Sequence, residues 1–172
     1  MSHMIVLELR ERGATAALPG LATVIFDGHG SVRFRTKTEE IPFSLPQAGL
    51  VKGAFIELWS DAGTRTVLLH ASHETVVVSI DLDRHVVTNT TMDRDLTLQR
   101  GLWQSDFLNT ALGPLMNYEL GVIAFNKDGS VRWKTTHANI QWLFDGVEGD
   151  RVVYRNEAEG ALRYRLDDGR RE

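Results

Sequence analysis

Apolar and polar residues alternate with a period of two along most of this chain, the pattern of strands with one buried face rather than of helices. Ile5, Leu7 and Leu9 share one side of the first such run. Between about residues 22 and 36, Val32 and Phe34 alternate with Arg33 and Arg35 after a turn rich in Gly and Asp, which predicts a hairpin. Further hairpins join 54–59 to 64–70 across Ser60-Asp-Ala-Gly63, 75–80 to 85–91 across Asp81-Leu-Asp-Arg84, and 151–155 to 161–166. The 75–80 and 85–91 runs are rich in Val, Ile and Thr, whose branched side chains suit a pleated surface. The Pro42 and Pro46 segment reads as a poor ladder participant, because proline has no N–H to donate. Leu96 and Leu98 extend the strand pattern. One stretch departs from it: Phe107, Leu108, Ala111 and Leu112 cluster at helical spacing, Ser105 or Asp106 is placed to cap, and Gly113-Pro114 would stop a short helix over 105–112.

Part of this pattern occurs twice. Val24-Ile-Phe-Asp-Gly-His-Gly-Ser-Val-Arg-Phe-Arg-Thr36 returns as Ile123-Ala-Phe-Asn-Lys-Asp-Gly-Ser-Val-Arg-Trp-Lys-Thr135. Val51-Lys-Gly53, Ile56 and Ala62 return as Val147-Glu-Gly149, Val152 and Ala158. Residues 22–72 and 121–170 therefore read as an internal repeat, with the common turn rules of hairpins as the competing explanation. About ten strands in hairpin order predict an all-β protein, an antiparallel up-and-down meander whose edges must be paired, covered or charged. Closure as a calycin-like barrel achieves this within one chain. Propeller-blade-like repeats are the alternative, and ten strands are too few to close a ring of blades without other chains.

The run Phe55-Ile-Glu-Leu-Trp-Ser-Asp-Ala-Gly-Thr-Arg-Thr-Val-Leu68 resembles the central hairpin of small bacterial calycin-like barrels, the phenolic acid decarboxylases and the proteins called MoaF-like. The resemblance covers about residues 22–91 and implies an eight-to-ten-stranded barrel with an interior pocket. Asp61 falls where the decarboxylases place a catalytic Glu, one carbon shorter; their paired early tyrosines and their Gly-Arg-Trp element have no match here. A rival resemblance runs through Phe125-Asn-Lys-Asp-Gly-Ser-Val-Arg-Trp133, Gly149-Asp-Arg-Val-Val-Tyr154 and Leu162-Arg-Tyr-Arg-Leu-Asp-Asp-Gly169, which is similar to blades of quinoprotein-type propellers.

Composition narrows the classes. With 172 residues, 42% of them hydrophobic and 24% charged, the chain has the make-up of an ordinary globular domain. Met1-Ser-His-Met4 reads as a vector-derived scar, leaving a single β domain over 5–172. The net charge of −4 is evenly spread, with 8 basic and 10 acidic residues up to Val86 and 11 and 13 after it. That balance argues against a nucleic-acid partner, which a positive patch would serve. No apolar run approaches the roughly 20 residues that span a bilayer, so no membrane partner is expected. The absence of cysteine removes disulfide and zinc-thiolate chemistry and fits a cytoplasmic address.

Candidate chemistry is sparse. Alternation puts Phe55, Glu57, Trp59 and Asp61 on one strand face, where a barrel interior would give them a ligand; Trp133 joins them as a candidate pocket residue. The opposite reading has Ile56 and Leu58 in the core, Glu57 in water and Trp59 at the rim. His70, His73 and His85 are the nearest thing to a metal set, but at a strand end and in turns they read as exposed histidines. His29, between glycines, and His137 read likewise as non-catalytic, and no nucleotide loop or cofactor motif occurs. Trp103, Trp133, Trp142, Phe34, Phe125, Phe144 and Tyr154 read as core. The expected function is a module binding a small, partly apolar molecule without a cofactor. Two alternatives stand beside it: an assembly subunit that pairs through edge strands as a homo-oligomer, and an acid/base enzyme using Glu57 or Asp61.

Overall fold

The structure is a computed structural model that describes residues 1–94, 104–137 and 140–172. Leu96, Leu98 and Trp103 lie outside the described residues. The fold is all-β, with sixteen strands among the described residues and every pairing antiparallel. By contacts within the chain it forms two compact units, residues 1–91 with 127–129, and the remainder.

The first unit holds two sheets. One is a meander of β2 (Ala14–Leu18), β3 (Ala22–Phe26), β4 (Ser31–Arg35) and β5 (Glu40–Ser44). The other runs β1 (Ser2–Glu8), β6 (Phe55–Asp61), β7 (Thr66–Ala71), β8 (Val76–Asp81) and β9 (Val86–Thr91), with β1 on the outer side of β6. Ser2, His3 and Met4, within the four opening residues, pair with Asp61, Ser60 and Trp59. Leu18, Val24, Phe26, Phe34, Ile56, Leu58, Val67 and Leu69 belong to one buried cluster built from alternate positions of both sheets. Every residue of β7 is buried, as expected for a central strand covered on both faces.

The second unit also holds two sheets, β10 (Ser105–Thr110) to β13 (Val131–Thr136) through β11 (Gly113–Tyr118) and β12 (Gly121–Phe125), and β14 (Leu143–Glu148), β15 (Arg151–Asn156) and β16 (Gly160–Arg165). Its core is aromatic: Trp133, Trp142, Tyr154 and Tyr164 pack with Leu115, Val122, Val152 and Leu162.

Three expectations need correction. The sheets are not closed into a barrel: β5 and β6, β9 and β10, and β13 and β14 are consecutive but belong to different sheets. A barrel needs an unbroken ladder around its wall, and the connections after Ser44, Thr91 and Thr136 each start a new sheet instead. The 105–112 helix does not form. Residues 105–110 are β10, registered with β11 from Ser105 opposite Tyr118 to Thr110 opposite Gly113, and the Thr110 hydroxyl donates to the Gly113 carbonyl at 2.6 Å within the turn. Eight residues are too few for helix propensity to outweigh a six-residue ladder. Finally, the proline segment does form a strand: Pro42 sits opposite Arg33 in β5, at the sheet edge, where a missing N–H leaves no ladder bond unmade.

The two copies of the repeated sequence fall on β3 to β7 and β12 to β16. In the first, β5 completes the sheet before it; in the second, β14 opens the sheet after it.

Candidate functional site

The residues singled out on β6 divide by burial. Phe55 is 52% exposed and Glu57 is half-buried, whereas Trp59 has no exposed surface. A ring with no accessible surface has no face to offer a ligand, so Trp59 acts as core. Asp61 is buried and accepts hydrogen bonds from the Ser2 hydroxyl at 2.8 Å, the Thr64 backbone N–H at 3.0 Å and the Thr64 hydroxyl at 3.2 Å. Burial raises its proton affinity, but the Ser2 and Thr64 hydrogen bonds outweigh it and hold the carboxyl below the usual range. It is built to stay ionised and to pin a turn, not to deliver a proton. Trp133 belongs to the second unit, where its indole N–H donates to the Leu166 carbonyl at 2.9 Å.

The histidines also divide. His73 and His85 are exposed, in left-handed backbone at φ 67° and 56°. His70, expected exposed at a strand end, is instead fully buried within β7, its Nδ1 3.1 Å from the Val76 carbonyl. Among the described residues no group of three His, Asp or Glu is placed to hold a metal ion.

A different site emerges in the second unit. A cleft of about 380 Å³ opens where β10 and β11 face the 140–144 segment and β15. Its walls include Trp142, Phe144, Tyr118 and Tyr154, and its polar groups include Asp106, Asn117 and Glu119. Each position follows from strand geometry. Asp106 and Asn117 are direct cross-strand partners in the β10–β11 ladder, so their side chains leave the same face of the sheet. Tyr154 sits opposite Phe144 in the β14–β15 pair, and the two rings meet edge to face at 5.7 Å.

The cleft is held rigid from behind. The Tyr154 hydroxyl donates to Asn117 Oδ1 at 2.7 Å, tying β15 to β11, and lies 3.3 Å from the Gly121 carbonyl. His137 packs edge-on against Tyr154 with ring centres 4.1 Å apart and stacks near-parallel on Tyr164 at 5.8 Å, with Nδ1 3.2 Å from the Tyr164 hydroxyl. Arg94 and Glu119 form an ion pair at 2.7 Å with side-chain exposures of 0% and 6%. A pair this dry is worth little as net stability but strongly fixes the carboxylate that faces the cleft. Gly121 is required by close approach: a Cβ there would lie 2.1 Å from the Thr135 carbonyl oxygen and 3.0 Å from the Tyr118 hydroxyl.

Burial sets the protonation of the whole group. It drives the His137 imidazole down to about 4, so the ring is neutral at physiological pH. Burial, reinforced by the charge of Asp93, pushes the Tyr118 phenol up to about 12, and burial pushes Tyr154 up as well. Asp106 is also raised by desolvation. The site therefore presents neutral aromatic walls, fixed hydrogen-bonding groups and two carboxylates, which is chemistry for holding a molecule. Sequence reading placed Trp142, Phe144 and Tyr154 in the core but not in a site, because the residues that meet here are spread from Asp106 to Tyr154.

No helix among the described residues is long and apolar enough to cross a membrane. Neither protein-family models nor curated proteins gave a match to this chain.

Proposed function

We propose that this protein is a binding module for a small, partly apolar molecule, held in the cleft between β10–β11 and β14–β15. The observation that carries the reading is the combination of aromatic walls with a hydrogen-bonded Tyr154–Asn117 pair and the carboxylates of Asp106 and Glu119 in one concavity. Small-molecule sites take this form, with apolar walls for affinity and a few fixed polar groups for orientation. The carboxylates favour a ligand that brings hydrogen-bond donors or positive charge, and the rings of Phe144 and Trp142, which keep some accessible surface, act in the same direction. The accompanying fold reading is of blade-like meanders, supported by four sheets among the described residues that succeed one another along the chain, each of consecutive strands apart from β1.

Native mass spectrometry of protein purified gently from its own host tests the function. The expected result is a retained small-molecule mass that disappears in Leu143→Arg, a substitution at a cleft-lining position 67% exposed and therefore tolerated by the fold. Protein that carries no such mass, or a mass that survives the substitution, removes this cleft as the site.

A further inference from the structure

Two polar groups of the cleft between β10–β11 and β14–β15 lack partners. Asn117, 9% exposed, accepts the Tyr154 hydroxyl on Oδ1 at 2.7 Å, and that bond fixes which way its amide faces. Its Nδ2 makes no hydrogen bond among the described residues. An amide packed this deeply normally has its donors satisfied, so one left open on a cleft wall is a place for a ligand's acceptor. Asp106, its direct cross-strand partner, stands at the exposed rim of the same cleft. Partial desolvation raises its proton affinity, and no cation or hydrogen bond among the described residues acts against that. Glu119 differs, because Arg94 already holds it at 2.7 Å.

An acceptor and a donor therefore stand side by side. Directly opposed residues of an antiparallel ladder have Cβ atoms about 5 Å apart, and both side chains leave one face of the sheet to line the cleft. The matching ligand edge carries an N–H next to a carbonyl oxygen or a ring nitrogen. Phe144, half-buried and braced edge to face against Tyr154 at 5.7 Å, and Trp142, which keeps 7% of its surface, supply rings on which a flat molecule stacks. A volume of about 380 Å³ is at the small end of ligand sites and suits one or two fused rings rather than a long chain. No lysine or arginine is among the described residues that line it, so a phosphate would meet carboxylates without a counter-charge.

We infer that the cleft takes an uncharged, flat nitrogen heterocycle of the nucleobase or nucleoside kind, its N–H accepted by Asp106, its neighbouring acceptor bonded by Asn117 Nδ2 and its ring set against Phe144 and Trp142. The inference rests on the binding-module reading and deepens it: that reading asks for apolar walls and a few polar groups, this one for a donor and an acceptor in a fixed order.

Equilibrium dialysis of the full chain against guanosine, adenosine, uridine and cytidine tests it, with indole as a flat ring that lacks the edge. The expected result is saturable uptake of at least one nucleoside, weakened about tenfold or more when its edge nitrogens are methylated, and by the same order in Asp106→Ala. Its monophosphate is expected to bind more weakly than the nucleoside. Asp106→Ser takes the place of the alanine variant should that one lose its native circular dichroism. Nucleosides that bind no better than indole, or whose uptake survives both the methylation and the Asp106 variant, overturn the inference while leaving the cleft a binding site. A monophosphate that binds more tightly than its nucleoside overturns it as well. No uptake of any probe also overturns it, and the retained mass and its loss in Leu143→Arg then decide separately whether the cleft binds anything.

Discussion

The two units solve the same problem with different interiors. The first buries aliphatic side chains and three phenylalanines in one cluster, with Trp59 and His70 buried singly outside it. The second packs Trp133, Trp142, Tyr154 and Tyr164 around His137 and Asn117, beside a dry Arg94–Glu119 pair. An aliphatic core holds a sheet stack together through area alone and tolerates volume-conserving change. A core of hydrogen-bonded aromatics depends on every partner being present, and it leaves oriented polar groups at its margin. The concavity with a plausible binding chemistry lies at the margin of the second kind.

The difference can be broken most forcefully at the ion pair. Arg94→Ala removes the dry ion-pair partner of the Glu119 carboxylate and is expected to cost about 3–5 kcal/mol in urea unfolding. Amides of β11 and β12 should lose more exchange protection than those of β7 and β8; equal losses would erase the contrast between the units. Leu58→Ala in the first unit is expected to cost about 3 kcal/mol through a lost apolar contact and a cavity, with the same cost at pH 8 and pH 5.

The second unit should instead respond to acid. His137 has a folded pKa of about 4 against an ordinary value near 6.5. A depressed pKa means that its stabilisation is complete above the unfolded value. It is lost as the pH falls from about 6.5 to about 4, amounting to about 3 kcal/mol when fully lost. Urea midpoints measured across that range should fall in the wild type and fall less in His137→Phe, which cannot be protonated. A parallel decline in both proteins would assign the acid sensitivity to carboxylates. A smaller effect is expected of Tyr154→Phe, which removes the donor to Asn117 and should cost about 1–2 kcal/mol. Smallest is Arg33→Ala, whose pair with Glu40 at 2.9 Å is solvent-exposed and whose loss should leave the urea midpoint essentially unchanged.

Hairpins were the legible part of this chain. The β6–β7 and β8–β9 pairs form where alternation, branched residues and Asp- or Gly-containing turns placed them, because all three signals are local. β10 is ambiguous in the sequence because Phe107, Leu108, Ala111 and Leu112 fit a helical face as well as they fit a strand and its turn, and only the ladder to β11 separates the two. β5 was discounted for Pro42, since nothing local reveals that a strand will lie at an edge. The cleft had no local signal at all: Asn117 and Tyr154 are 37 residues apart and meet through one hydrogen bond between sheets.

By itself, then, the amino-acid order determined the all-β class, the antiparallel hairpins and the faces that alternate along them, since these follow from side-chain period and turn chemistry within a few residues. Tertiary structure alone decided that, among the described residues, the meander breaks into four open sheets rather than one closed wall. It also decided which carboxylates are buried, as Asp61 and Glu119 are, and which aromatic rings border a cavity. Those outcomes depend on desolvation and on ladder pairing between distant segments, and both exist only once the sheets have packed.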